Sequence, residues 1–344
     1  MSSVTIAIPT FNRGAILVKT IERLLALDPP AAEIVIVDQT PWYPPEIERQ
    51  LTNWSSGGAI RWIRLQKPSI PGAMNHALRI ATQPIVLYVD DDVIPSPHLV
   101  AEHEAAYAAG TLAIAPHVIP SVSERPGRAG GAINNVPAAI SRARHDSAGA
   151  IWAVVGQVLQ PGEEVEHFDD ARLHRGALRD LEFPFNHDAA TDVENVIACN
   201  LSVDRERALS IGGFDERYVF AAYRFETDFA RRVIAAGGRI RFEPRAHVRH
   251  LKIPTGGVRA HGDPRRTAAP THAVGDYLFA LEHVPHFWRY AARRFRQNVF
   301  TRYTLVHPAA LPLKALAELR GVALARRLAR ESSPTAGTSQ QRTR

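Results

Sequence analysis

The run IVLYVDDDVIP places Asp90, Asp91 and Asp92 directly after Ile85 to Val89, five mostly apolar residues. Two like charges about 4 Å apart repel by roughly 1 kcal/mol in water, and by more near a protein interior. A hard divalent cation such as Mg²⁺ or Mn²⁺ takes oxygen ligands, usually one or two carboxylates plus substrate phosphates, and would relieve that repulsion. The same acids also read as surplus charge at a helix N-terminus, because SPHLVAEH follows closely. A second acidic pair, Glu226 and Asp228, lies in FETDF. Two apart on a helix, these side chains do not share a face. One can meet a cleft while the other caps or pairs, and both also read as solvated acids in a first helical turn. His250 closes the alternating run RIRFEPRAHVRH. Alone, it reads as a surface histidine at a strand end.

These residues need elements to position them. Up to about Pro116, short apolar runs alternate with helical patterns: VTIAIP, EIVIVD, AIRWIRL, IVLYVD and LAIAP (112–116) as strands, with helices between. That alternation predicts a parallel α/β sheet, in which ligands bind at the carboxyl ends of the strands. Thr10, Asp38 and the triple aspartate all fall there. From Pro116 to Ala150 the pattern breaks into a Pro-, Gly-, Ser- and Arg-rich stretch, and 160–192 is charged and resists assignment. Order returns with a strand in VENVIACNLSVD and a helix starting near Asp204. A second helix, RFETDFARRVIAA, stops at glycine, and the strand ending at His250 follows.

The 344 residues suffice for a large core, and the single cysteine, Cys199, excludes a disulfide framework or a cysteine-based zinc site within the chain. Neither a leader nor a membrane-spanning run is read from the sequence, and an intracellular, cytoplasmic location fits the cysteine usage. The net charge of +6 is uneven: His286 to Arg344 carries 12 Lys/Arg against 2 Asp/Glu, or +10, leaving −4 for the rest. The basic segment mixes Arg with aromatics and ends in an amphipathic helical pattern. It reads as a peripheral membrane contact through 286–330, or as a helix packed on the domain with a solvated Arg face. Nucleic acid is not expected as a partner, since the main body is acidic and no reader motif occurs.

Taken in order, AIPTFNR, IVIVDQT, PGAMNHAL, LYVDDDV, GGFDERY, FETDFARRVIAAGG and PRAHVRH resemble the family 2 glycosyltransferases over roughly residues 4–250, weakly between 117 and 190. The resemblance implies a GT-A type, Rossmann-like, mostly parallel sheet flanked by helices, with a C-terminal helical extension. The resemblance suggests a nucleotide-sugar-binding half (1–116) and an acceptor-binding and catalytic half of the same domain (117–270); composition adds a basic amphipathic helical extension (271–330) and a disordered tail (331–344). The resemblance further implies an inverting, metal-dependent enzyme using a nucleoside-diphosphate sugar and Mn²⁺ or Mg²⁺. The acceptor would be a glycan or lipid-linked, in cell-surface polysaccharide or glycolipid synthesis. By the same resemblance, Asp92, Asp90 and His250 hold the metal. Pro9, Thr10, Arg13, Asp38, Asn75, Asp90 and Asp91 bind the nucleotide sugar, and Glu226 is the base with Asp228 in reserve. Gln39 stands where relatives often have a second acid, and Met74 where many have Arg. A non-catalytic sugar-nucleotide-binding scaffold with the same fold is the alternative.

Overall fold

The computed structural model describes residues 2–112, 149–167, 183–253, 256–257 and 267–331. The expected strand LAIAP lies outside them except for Leu112, as do 117–148 and 332–344.

Four strands, β1 (Val4–Thr10), β2 (Glu33–Asp38), β3 (Arg61–Arg64) and β4 (Ile85–Val89), run parallel. They are linked by α1 (Gly14–Leu25), α2 (Pro45–Ser56) and α3 (Ile70–Ile80). After the triple aspartate come β5 (Val93–Pro95) and α4 (Leu99–Leu112). The chain then adds β6 (Ile151–Leu159), β7 (Thr191–Asp192), β8 (Asn200–Asp204), α5 (Arg205–Ser210), α6 (Phe225–Ala235) and β9 (Arg239–His250). The helices α7 (Ala273–His283), α8 (Phe287–Val299), α9 (Arg302–Val306) and α10 (Ala310–Leu328) follow.

Sheet order is β3-β2-β1-β4-β8-β6-β9-β5, with β7 on β9. Alternating side chains divide the core into two layers, as a two-residue period requires. Ile6, Ile8, Ile34, Ile36, Leu87 and Val89 face α1, α2 and the start of α4. Ala7, Val35, Val37, Val86 and Tyr88 face α3, α6 and α7.

The expected sheet flanked by helices is present: β6–β9 pairs parallel like the first four strands, while β4–β8, β6–β8, β5–β9 and β7–β9 pair antiparallel. The antiparallel pairs begin with the entry of β8, whose Asn200 lies opposite Val89 at the carboxyl end of β4, so that β8 runs back down the sheet. The parallel half still contains a switch point. The chain winds outward from β1 through β2 to β3, then returns to the other side of β1 as β4, leaving a crevice at the ends of β1 and β4. Among the described residues no helix is long and apolar enough to cross a membrane.

Candidate active site

The crevice holds the three acids. Asp91 is buried, and Thr10 at the end of β1 donates to its Oδ2 at 2.6 Å. Burial, reinforced by the neighbouring Asp90 and Asp92 and opposed by Thr10 and Arg13, pushes the Asp91 pKa up to about 7. Asp92 is also buried but behaves oppositely. Its Oδ1 lies 3.0 Å from His250 Nε2, and its Oδ2 accepts from Arg13 Nη1 (2.9 Å) and the Ile253 N–H (2.9 Å). Burial alone would raise its pKa, but these hydrogen bonds and the charges of His250 and Arg13 outweigh that and hold it below the usual carboxylate range. Asp90 stays half-exposed, with its Oδ2 3.5 Å from His250 Nε2. The protein's own cations and donors therefore offset much of the acid repulsion.

Strand pairing explains how His250 arrives. The short β5 lies antiparallel to the end of β9 with Val93 opposite His250, and the Leu251 N–H donates to the Asp92 carbonyl at 2.8 Å. Arg13, just before α1, is 7% exposed, and its buried Nε makes no hydrogen bond among the described residues, lying 3.9 Å from Asp91 Oδ1. Gly256 lies against it at φ +74°, where a Cβ would stand 2.7 Å from Arg13 Cδ and 2.5 Å from the Asn12 carbonyl. Only glycine suits both the left-handed backbone and that approach.

Glu226 enters the same cavity, of about 290 Å³, from the first turn of α6. Its Oε1 accepts from the Ala198 N–H. Burial raises its pKa to about 7, with the Ala198 N–H opposing, the Asp90 charge adding and Arg224 opposing. The segment before it is bent by three non-glycine residues at positive φ: Phe220 (59°), Ala222 (49°) and Arg224 (72°). Such residues cost of order 1–3 kcal/mol each and persist only when surroundings impose them. The surroundings here are α7, α8 and α10. Arg224 Nε donates to Asp276 at 2.9 Å, and Asp276 also accepts from Tyr290 at 2.9 Å and from Arg294. Arg294 lies 3.2 Å from Glu318, which accepts from Tyr277 at 2.6 Å. A buried ion network thus runs from the C-terminal helices to the turn that carries Glu226.

Gly275 completes that support. A methyl there would stand 2.0 Å from the Tyr223 carbonyl oxygen. Gly275→Ala gains about 1 kcal/mol of helix propensity, yet overpacking typically costs about 1–3 kcal/mol. We expect net destabilisation in urea melts and a fall in turnover of about 10²-fold from displacement of Glu226. A variant with unchanged melting and turnover would show that α7 does not hold this turn.

Of the residues singled out in the sequence, Pro9, Thr10, Arg13, Asp90, Asp91, Asp92, Glu226 and His250 line one cavity. Asp38, Asn75 and Asp228 do not line it. Asp38 is fully buried, its Oδ1 accepting from the Thr40 N–H (2.8 Å) and its Oδ2 from Trp62 Nε1 (2.9 Å). Asn75 clamps the Gly213–Glu216 turn, donating to the Phe214 carbonyl (2.7 Å) and accepting from the Phe214 N–H (2.8 Å). Asp228 is buried between Arg232 (2.8 Å) and His283 (2.8 Å), joining α6 to α7. Each has its oxygens engaged by other parts of the chain.

Three participants were not foreseen. Gln160 Oε1 lies 3.0 Å from His250 Nδ1. Accepting the Nδ1–H there turns Nε2 toward the acids. The Ala198 N–H fixes Glu226, and Cys199 lies beside Asp90 and His250. Burial lifts the Cys199 thiol well above its ordinary pKa. A carboxylate oxygen of Asp90, the His250 imidazole and the Cys199 sulfur lie within 4.8 Å of one another, with Asp92 Oδ1 3.0 Å from His250 Nε2; the oxygens and imidazole of this corner fit a hard or borderline divalent cation such as Mn²⁺.

Residues 5–149 match the sequence profile of glycosyl transferase family 2. No curated protein matches the chain by sequence. Among solved structures, GalNAc-T7 with UDP, GalNAc and Mn²⁺ superposes with a TM-score of 0.57 at 14% identity, covering 95% of this chain and 55% of that one. S. aureus TarS superposes with a TM-score of 0.50 at 11% identity, covering 88% and 45%. The chain thus spans about half the length of these two relatives, and at such identities the likeness concerns the fold. This chain has the GT-A fold of these neighbours, and residues 5–149 are similar to glycosyl transferase family 2.

Proposed function

We propose that the protein transfers a sugar from a nucleoside-diphosphate donor to an acceptor hydroxyl, with inversion. The observation that carries this reading is the convergence in one cavity of Glu226, with its raised pKa, and the Asp90–Asp92–His250 group. Asp90, Asp92 and His250 would hold a divalent cation, which would supply neutralising charge for a departing diphosphate. Glu226 accepts the proton of the acceptor hydroxyl: the Ala198 N–H holds Oε1, which leaves Oε2 for the acceptor. With Asp228 tied to Arg232 and His283, Glu226 is the carboxylate of α6 that opens to the cavity, which suits a one-step displacement. Arg13, which lines the cavity beside Asp91 and Asp92, is placed to meet donor phosphate oxygens. The family resemblance suggests a glycan or lipid-linked acceptor, in cell-surface polysaccharide or glycolipid synthesis. A single buried thiol accords with a cytoplasmic setting.

The reading is tested by incubating the protein with UDP-, GDP- and dTDP-sugars and Mn²⁺, measuring melting temperature and donor hydrolysis. One donor at 100 times its Kd should add about 2.7 kcal/mol and be slowly hydrolysed. Stabilisation without hydrolysis or transfer would favour a binding scaffold instead.

A further inference from the structure

Helix α10 presents two apolar stripes. Ala317, Gly321, Ala325 and Leu328 are buried, and Gly321 lies against Ala273 and Tyr277 of α7. Pro312, Leu316, Leu319 and Ala323, at i, i+4, i+7 and i+11, share the other side and are all exposed. Leu319 is 59% exposed, and Leu305 and Val306 of α9 are each 74% exposed. Nothing in the fold covers these side chains among the described residues, and an exposed apolar stripe on one helix face marks an interaction surface.

Charge indicates what covers them. Helix α8 carries Arg289, Arg293 and Arg296 at i, i+4 and i+7, all exposed, with Phe300 next in the stripe at 57% exposure. None of these arginines has an acidic partner among the described residues. From His286 to Arg330 the sequence holds ten Lys/Arg and one acid, Glu318, which is buried against Tyr277 and Asn298. The exposed side of 286–330 therefore carries no carboxylate; Glu331, just past it, is exposed. The two helices meet there: Arg326 of α10, seven residues after Leu319, lies over the Trp288 ring at 5.5 Å from its centroid, and Arg289 follows Trp288. The result is an apolar stripe and an arginine stripe joined by an exposed tryptophan.

We propose that this C-terminal extension docks on the surface of an anionic bilayer, with α8 and α10 lying in the interface plane. Leucine and phenylalanine enter the headgroup–acyl boundary, Trp288 sits at headgroup depth, and the unpaired arginines meet lipid phosphates. A nucleic acid would engage the arginines but leave the leucine stripe wet. A second copy of the chain would bring like charges together. The inference rests on the surface alone and stands or falls independently of the transfer reaction.

The test is co-sedimentation of the full chain with phosphatidylglycerol–phosphatidylcholine vesicles and with phosphatidylcholine vesicles, with gel filtration in parallel. We expect binding to the anionic vesicles that weakens with salt, and little binding to the neutral ones. Arg289→Gln, Arg293→Gln and Arg296→Gln together should weaken partition about 100-fold, at about fivefold per arginine near an anionic surface. Leu316→Asn with Leu319→Asn, both on exposed positions, should weaken it at least about tenfold with unchanged melting. The proposal is overturned if the wild type stays in the supernatant with anionic vesicles, or if the leucine variant binds as the wild type does. It is equally overturned if the wild type is a dimer that the leucine changes dissociate and no vesicle binding is seen, which would assign the face to a second copy.

Discussion

Glu226→Gln is expected to lower kcat by about 10²–10⁴-fold, the range typical of a positioned base, while leaving donor-induced thermal stabilisation intact. Glutamine can still accept from the Ala198 N–H, so the turn should keep its shape. In the wild type, the ionised base is lost as pH falls through about 7, because burial holds the Glu226 pKa there. The kcat/KM profile should therefore drop tenfold per pH unit on the acid side of that value. The variant should lack this limb. Its stability should change in the opposite direction from its activity. The folded pKa of about 7 lies above the ordinary 4.5, so the folded chain holds a proton that the unfolded chain has released between those values. Wild-type stability attributable to this group is complete below about 4.5 and is lost as pH rises through about 7. Glutamine removes that dependence, and the variant should be more stable at pH 8 by on the order of 2–3 kcal/mol, with no gain at pH 4. Equal pH–stability curves for the two proteins would show that Glu226 is not desolvated as described.

Asp92→Asn is the second large effect. The native carboxylate lies 3.0 Å from His250 Nε2 and accepts from Arg13 Nη1 and the Ile253 N–H, and these neighbours hold its pKa down. An amide removes the charge that faces Arg13 and His250. We expect a moderate loss of stability, about 1–3 kcal/mol, from weakened hydrogen bonds to a charged acceptor. We also expect loss of stabilisation by Mn²⁺ and a fall in kcat of about 10²–10³-fold, comparable to removing one charge-stabilising group. The measurement is a Mn²⁺ titration followed by thermal shift and turnover. A variant with unchanged Mn²⁺ response and turnover would remove Asp92 from the metal site.

Much of this arrangement was legible because it is local. The strand runs before Thr10, Asp38 and Asp90 are continuous apolar stretches, and side-chain alternation within them decides which layer each residue faces. The acids at the strand ends and the first turn of α6 follow from those boundaries. The rest depended on distant partners. β6 is an apolar run whose place is set by pairing with β8 and β9, far away in sequence, and β5 exists as a strand because the end of β9 lies beside it. Asp38 looked available at a strand end, but Trp62 on the neighbouring strand and the Thr40 N–H take both its oxygens. Asp228 is withdrawn in the same way by His283, which belongs to a helix some fifty residues on. Sequence position gave the strand ends; tertiary hydrogen bonds decided which carboxylates remain open to the cavity. The support of Glu226 by Asp276, Arg294 and Glu318 was invisible for the same reason, since it joins three helices of the C-terminal extension to one turn.

The most direct measurement is an anomalous difference map, collected at the manganese edge, from crystals soaked with Mn²⁺ and a nucleoside diphosphate. We expect one strong peak between the carboxylates of Asp90 and Asp92 and the imidazole of His250, with diphosphate density beside it in the cavity that Glu226 lines. An empty acid corner, with nucleotide or manganese bound elsewhere, would contradict the assignment.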